Sequence, residues 1–229
     1  MTGPTKAEWT NAEWMDAALS HFTTVIANPE NASAHFNLAI WLQREERWDE
    51  AAQSYARALC LDPQLEAGRI GLGACLLKLN RIEDALGVFQ QCDDSSGPAL
   101  FGKGVALQLL GRFDEAAGVY EVLLESEPNS EETLANLIAM SSATRDLEHM
   151  REYSQNLLNL APQSAVALQG LATVALERRD NHQAAKYCDR IVEVSPDCLE
   201  GWHNLRIALD RILSAFTASK PAASIPGVR

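Results

Sequence analysis

Small and large apolar residues follow one another at helical spacing along this chain, in blocks that polar residues interrupt. In one kind of block Leu38-Ala39, Leu72-Gly73 and Leu171-Ala172 are followed, three residues after the small one, by Leu42, Leu76 and Ala175. In the kind that alternates with it, Ala51 stands four residues before Tyr55, Ala85 before Phe89, Ala116 before Tyr120 and Ala184 before Cys188, so each pair shares a helix face. Two helices can approach closely at the small residues while the large ones fill the space alongside. Polar tetrads separate the two kinds of block: Glu46-Arg47-Trp48-Asp49, Asn80-Arg81-Ile82-Glu83, Gly111-Arg112-Phe113-Asp114 and Arg145-Asp146-Leu147-Glu148. Asn80 or Gly111 can take the positive φ that ends a helix, and the acid in each tetrad suits the positive end of the next helix dipole.

Prolines set the longer beat. Pro29, Pro63, Pro128, Pro162 and Pro196 lie 34, 65, 34 and 34 residues apart, and Pro98 sits near the beat that the double interval skips. Proline lacks a backbone donor and disfavours helix in the residue before it, so each one closes a helix hairpin and opens the next. The expected fold is all-α, with about twelve helices: a lone helix over 12–27, hairpins over 32–65, 66–96, 97–130, 131–164 and 165–198, and a closing helix over 199–217. Thr10 and Glu13 have capping-box spacing, with Trp9 and Trp14 as a flanking staple. Residues 1–11 form an N-terminal segment, and 218–229, which includes Lys220-Pro221 and Ile225-Pro226-Gly227, a flexible tail or linker.

Two hairpins depart from the beat. The one over 66–96 is three residues short and runs into the turn formers Asp93-Asp94-Ser95-Ser96-Gly97-Pro98. In 131–164 the small places hold Ile138 and Met150 and the large places Ser141 and Ser154, an exchange that conserves volume across the helix pair.

A large or aromatic residue, Leu-Gly, Tyr, Ala, Phe and Pro at these offsets resemble the tetratricopeptide-repeat pattern over roughly residues 12–215. Lys103 departs from it, standing before Gly104 where the pattern asks for leucine. The resemblance implies a right-handed superhelical solenoid of antiparallel hairpins, whose first helices line a concave groove that holds another protein or peptide.

Charge narrows the partners. Nineteen Lys and Arg against 31 Asp and Glu leave a formal −12, which repels phosphate backbones and anionic lipid, so no nucleic acid is expected. No apolar run is long enough to span a bilayer and the first fourteen residues lack signal-peptide character, which makes the cytoplasm the expected location and excludes membrane insertion. Cys60, Cys75, Cys92, Cys188 and Cys198 are odd in number and without CxxC spacing, the pattern of packed free thiols rather than disulfides or a zinc site. His21, His35, His149, His182 and His203 lack a second ligand at helical metal-site spacing, so no metal is expected. Phosphate-binding, dinucleotide-binding and nucleophile-elbow motifs are absent; Gly71-Leu72-Gly73 falls inside a helix. No cofactor and no catalysis by this chain are expected.

Groove-facing side chains should recur every three or four residues along each first helix. They are Phe36, Asn37, Ile40, Gln43 and Arg44; Ile70, Ala74, Leu77 and Lys78; Phe101, Val105 and Gln108; Ala135, Asn136, Ala139 and Ser142; Gln169 and Thr173; and His203, Asn204 and Ile207. The N-terminal half is apolar and the C-terminal half small and polar. Repeat proteins that grip acidic chaperone tails place basic and Asn side chains where this chain has Phe36, Ile40, Gly71, Pro98 and Gly102, so that ligand is not expected. An Asn ladder for extended peptides would be half filled, by Asn37, Gly71, Gly102, Asn136, Gly170 and Asn204. The function expected is a scaffold or adaptor binding an apolar or amphipathic segment of a partner protein. The alternatives are a regulatory or substrate-recruiting module of a larger enzyme, as in repeat-bearing glycosyltransferases, and self-assembly into a homo-oligomer.

Overall fold

The computed structural model describes residues 11–218. The expected capping box at Thr10 and Glu13, the Trp9 and Trp14 staple, and the tail Lys220–Gly227 lie outside the described side chains. Twelve helices and no strand occur among the described residues: α1 (Asn11–Ala27), α2 (Ala32–Arg44), α3 (Trp48–Leu61), α4 (Glu66–Lys78), α5 (Ile82–Phe89), α6 (Gly97–Leu109), α7 (Phe113–Ser126), α8 (Glu131–Thr144), α9 (Leu147–Leu160), α10 (Ala165–Glu177), α11 (Asn181–Val194) and α12 (Leu199–Ala218). They form two compact units, 1–119 and 120–229.

Five hairpin turns share one geometry. Residues 46, 80, 111, 145 and 179 all take the left-handed conformation, with φ between 59° and 72°. Each turn carries the same pair of backbone hydrogen bonds. Arg47 N–H donates to the Leu42 carbonyl at 3.0 Å and Glu46 N–H to Gln43 at 3.1 Å, with equivalents at Arg81, Arg112, Asp146 and Asp180. This is the Schellman motif, which satisfies carbonyls that a helix end would otherwise leave unpaired. Asn80 and Gly111 suit the geometry, as their side chains predict. Glu46, Arg145 and Arg179 adopt it against their own preference, because the packing of the two helices dictates where the chain must turn.

Below the turn the chemistry differs between the units. In unit 1 the residue before the second helix is arginine, paired with an acid three residues on: Arg47 with Glu50, Arg81 with Asp84 at 2.7 Å and Arg112 with Glu115 at 2.6 Å. In unit 2 it is aspartate, and its carboxylate caps the helix directly, Asp146 accepting from His149 N–H at 3.1 Å and Asp180 from Gln183 N–H at 3.1 Å. Asp146 also accepts from the His149 ring at 2.7 Å, a contact that holds its carboxyl below the usual range and raises the imidazole. Exposed pairs of this kind contribute little alone.

Burial follows the small-residue pattern. Ala39, Ala51, Ala58, Ala85 and Ala116 in unit 1, and Ala167, Ala172, Ala184 and Ala208 in unit 2, are fully buried. Around them sit Leu42, Tyr55, Leu76 and Phe89 in the first unit and Leu134, Leu137, Leu168 and Ile191 in the second. The lone α1 closes the first core: Phe22 and Val25 pack onto the cluster of Leu38, Trp41 and Leu42, and the Phe22 ring meets Trp41 edge-on at 6.1 Å. The short hairpin yields a second helix of eight residues, after which Asp93 turns the chain by accepting from both the backbone N–H and the hydroxyl of Ser95. Helix α6 then opens with Pro98 in its first turn.

Ile138, Met150, Ser141 and Ser154 are all buried, as the exchange of sizes requires. The Ser154 hydroxyl has no hydrogen-bond partner among the described residues. Ser154→Ala should therefore leave the urea midpoint unchanged or raise it by the equivalent of about 1 kcal/mol; a clear loss would mean that the hydroxyl is bonded. Glycine at the strained turn residues relieves a left-handed penalty of about 1–2 kcal/mol, partly offset by its chain entropy. Glu46→Gly, Arg145→Gly and Arg179→Gly should each stabilise by about 0.5–1 kcal/mol in urea unfolding, and destabilisation at all three would contradict the turn geometry.

Candidate functional site

In unit 1 the first helices α2, α4 and α6 are neighbours, α2 against α4 and α4 against α6, with α3 and α5 behind them. In unit 2, α10 similarly touches α8 and α12. Each unit thus has a face made of first helices. The spacing of those helices is set by contacts from the second helices. Tyr55 of α3 lies over Gly71 of α4, and Phe89 of α5 lies between Gly73 of α4 and Gly102 of α6. A Cβ built on Gly73 would meet the Phe89 ring at 2.6 Å, and one on Gly71 or Gly102 would fall closer still to the Tyr55 or Phe89 ring. Only glycine lets the backbone and the ring share that space. Burial also pushes the Tyr55 phenol up to about 12.

Of the residues expected to face the groove, none is buried: Asn37, Arg44, Lys78, Ala139, Ser142 and His203 are exposed and the rest half-buried. In unit 1 they divide by what they touch. Phe36 and Ile40 lean on the core cluster of α2 and α3, the Phe36 ring meeting Tyr55 at 5.8 Å and 62°, while Leu77 packs beside Leu76 and Phe89. Gln43 accepts a hydrogen bond of 2.8 Å from the Tyr55 hydroxyl, which ties it in place. Lys78 sets its ammonium 6.0 Å from the centre of the Trp48 ring, a cation–π distance that draws it toward the turn. Ile70, Ala74, Phe101 and Val105 remain half-exposed along α4 and α6, with Gln108 one turn further on. The result is a partly covered apolar face with fixed polar groups at one end.

Unit 2 presents a different surface. Asn204 and Ile207 of α12 line a polar cleft with Thr173, Glu177 and Arg179 from α10 and its turn, and Glu200 and Arg211 from α12. Arg211 spans the cleft and donates to the Leu176 carbonyl at 3.1 Å. Asn136 is half-buried on α8. The Asn-ladder places thus hold Asn37, Asn136 and Asn204 at the surface, whereas Gly71 and Gly102 seat aromatic rings. A sequence reading misses this because Tyr55 is sixteen residues before Gly71, and the three-residue deletion moves Phe89 to thirteen before Gly102.

A second depression escapes the sequence reading altogether. On the opposite side of unit 1, α3 and α5 leave a trough floored by Ala52, Ala56, Leu72 and Leu76 and edged by Asp49, Glu83 and Asp84. No group of three or more His, Cys, Asp or Glu with metal-binding geometry occurs among the described residues. No described helix is long and apolar enough to cross a membrane. Cys75 and Cys188 are buried free thiols, each pushed up to about 11 by desolvation.

Tetratricopeptide-repeat family models match residues 42–94 and 7–66, and a coatomer epsilon subunit model matches 76–168. Among curated proteins, the chain is 26% identical over 163 residues to the Protein CTR9 homolog of Arabidopsis thaliana, covering 68% of this chain and 15% of that protein. It is 22% identical to the BBSome complex member BBS4 homolog of Drosophila melanogaster, covering 94% of this chain and 48% of that protein. The chain thus spans less than half the length of these relatives. Among solved structures, YrrB, described as a repeat protein with an unusual peptide-binding site, superposes with a TM-score of 0.71 at 18% identity, covering 81% of this chain and 97% of its own. PilF of Pseudomonas aeruginosa gives 0.67 at 19% identity, with 91% of each chain covered. MamA from Desulfovibrio magneticus RS-1 gives 0.67 at 19%, covering 73% of this chain and 97% of its own. At these identities the likeness is one of fold.

The ring seats make a direct prediction. Gly102→Asn, which would extend the Asn ladder by sequence, should destabilise unit 1 by about 1–3 kcal/mol through overpacking against Phe89. An unchanged urea midpoint would show that the ring can move aside.

Proposed function

The chain is a tetratricopeptide-repeat protein, and from that premise we propose that it is a non-catalytic adaptor that holds an apolar or amphipathic segment of a partner protein. The fold in general supports a protein-interaction scaffold. The observation that carries the finer reading is the row of half-exposed apolar side chains, Ile40, Ile70, Phe101 and Val105, on three adjacent first helices of unit 1. A surface of this kind suits apolar anchors spaced along a helix or strand. Gln43, held by Tyr55, and Lys78, held by Trp48, supply a polar stop at the turn end of the face. Asn37, Arg44, Ala74, Leu77 and Gln108 complete the contact surface on this reading.

A role within a larger assembly is favoured by one comparison. The fly relative is a member of the BBSome complex, and the match runs along 94% of this chain. A reducing compartment such as the cytoplasm suits Cys75 and Cys188, which are buried as free thiols.

Phage-displayed random peptides selected on the wild-type protein should converge on sequences with two or three apolar anchors at regular spacing. Ile70→Glu and Val105→Glu, each on a half-exposed position, should lose at least tenfold in affinity for those peptides, while circular dichroism stays unchanged. Convergence on acidic C-terminal motifs, or binding indifferent to both variants, would contradict the assignment.

A further inference from the structure

The last helix, α12, is built like α10 but left open where α10 is covered. In α10, Leu168 and Ala172 are fully buried against Cys188 and Ile191 of α11, and Ala175 is buried with Ala184. Thirty-four residues on, Leu168 becomes Trp202, Ala172 becomes Arg206 and Ala175 becomes Leu209, all exposed, Trp202 and Leu209 by 50%, and no helix among the described residues follows to cover them. The open stripe extends past the point where α10 turns: Leu213 stands where Arg179 reverses the earlier chain, yet α12 continues to Ala218 with Leu213 67% exposed. Trp202, Leu209 and Leu213, spaced by seven and four, lie on one side of the helix, with Leu199 at its start. Together they expose on the order of 500 Å² per chain, within the range of the largest patch on a typical monomer, where such a patch is often functional.

We propose that a second copy of this chain covers the stripe, with α12 pairing antiparallel to α12 about a twofold axis at Leu209. The charges beside the stripe argue for that occupant. Arg206 and Asp210 share one flank, both exposed, and neither has an ion-pair partner among the described residues. They stand four apart with the cation N-terminal, the weaker order for pairing within one helix. At about 1.5 Å of rise per residue, Arg206 lies about 4.5 Å to one side of Leu209 and Asp210 about 1.5 Å to the other. A twofold at Leu209 keeps like flanks together and reverses direction, so each Arg206 comes within about 3 Å, along the axis, of the other copy's Asp210. Two reciprocal ion pairs result, beside a Leu209–Leu209 contact.

Net charge points the same way. The chain as a whole carries −12, whereas α12 balances Glu200 and Asp210 against Arg206 and Arg211. Its surface is therefore one on which two copies meet without local like-charge repulsion. About 1,000 Å² covered in total lies near the lower bound of specific interfaces, which sets the expectation of a reversible dimer with a micromolar dissociation constant. The inference is independent of the peptide face on unit 1.

Sedimentation velocity of the full chain across the micromolar range tests it. The weight-average mass should climb from 25.1 kDa toward twice that value as concentration rises. Leu213→Glu should hold the protein monomeric, with helicity and melting midpoint retained as the control for folding. Arg206→Asp should weaken the dimer at least tenfold, and adding Asp210→Arg should restore it, because the exchange rebuilds both pairs. A wild-type mass that stays at 25.1 kDa throughout would overturn the proposal, as would a double exchange no better than the single one.

Discussion

The structure of each unit depends on how closely two helix backbones can approach. Tyr55 and Phe89 project from the second helices and lie on the backbone of the first helices at Gly71, Gly73 and Gly102. A methyl group at any of these places would collide with a ring. The glycines therefore fix the distance from one hairpin to the next in unit 1, and with it the width of the face that α2, α4 and α6 present. In unit 2 the same place is filled on a smaller scale, by Ser154 against Gly170. The constraint is steric, and the sequence meets it with different pairs of large and small residues.

The fold was legible because this constraint leaves a periodic trace. Alanines and glycines recur with a large residue four positions away, and prolines mark the beat; together they predict paired helices without reference to any single propensity. Turn geometry was legible only in part. Asn80 and Gly111 announce a left-handed residue, but Glu46, Arg145 and Arg179 do not, and they take that conformation because the Schellman bonds and the helix packing on either side require it. The turn at Arg179 went unread although Asp180 caps the next helix as Asp146 does.

The candidate site was legible as a set of positions but not as a set of contacts. Spacing alone selects surface residues of first helices, and the structure leaves none of them fully buried. It cannot tell that Gln43 is held by a tyrosine twelve residues away, or that Lys78 is drawn to Trp48. Nor can it separate a glycine that has replaced a ligand-binding Asn from one that seats a ring. At Gly71 and Gly102 the ring is the physical reason, so the gaps in the Asn series belong to the packing of the array. The trough between α3 and α5 was not legible at all, because it arises between second helices whose outward residues look like ordinary solvated charges.

Recognition through the first-helix face of unit 1 is the claim on which the functional account stands, and the α3–α5 trough is its rival surface. Amide chemical-shift perturbation in the full chain, titrated with a peptide selected for binding, distinguishes them most directly. The account predicts shifts centred on Ile40, Ile70, Ala74 and Val105. Perturbation confined to the trough residues Asp49, Ala52, Ala56 and Glu83, with Ile40, Ile70, Ala74 and Val105 unmoved, would contradict it.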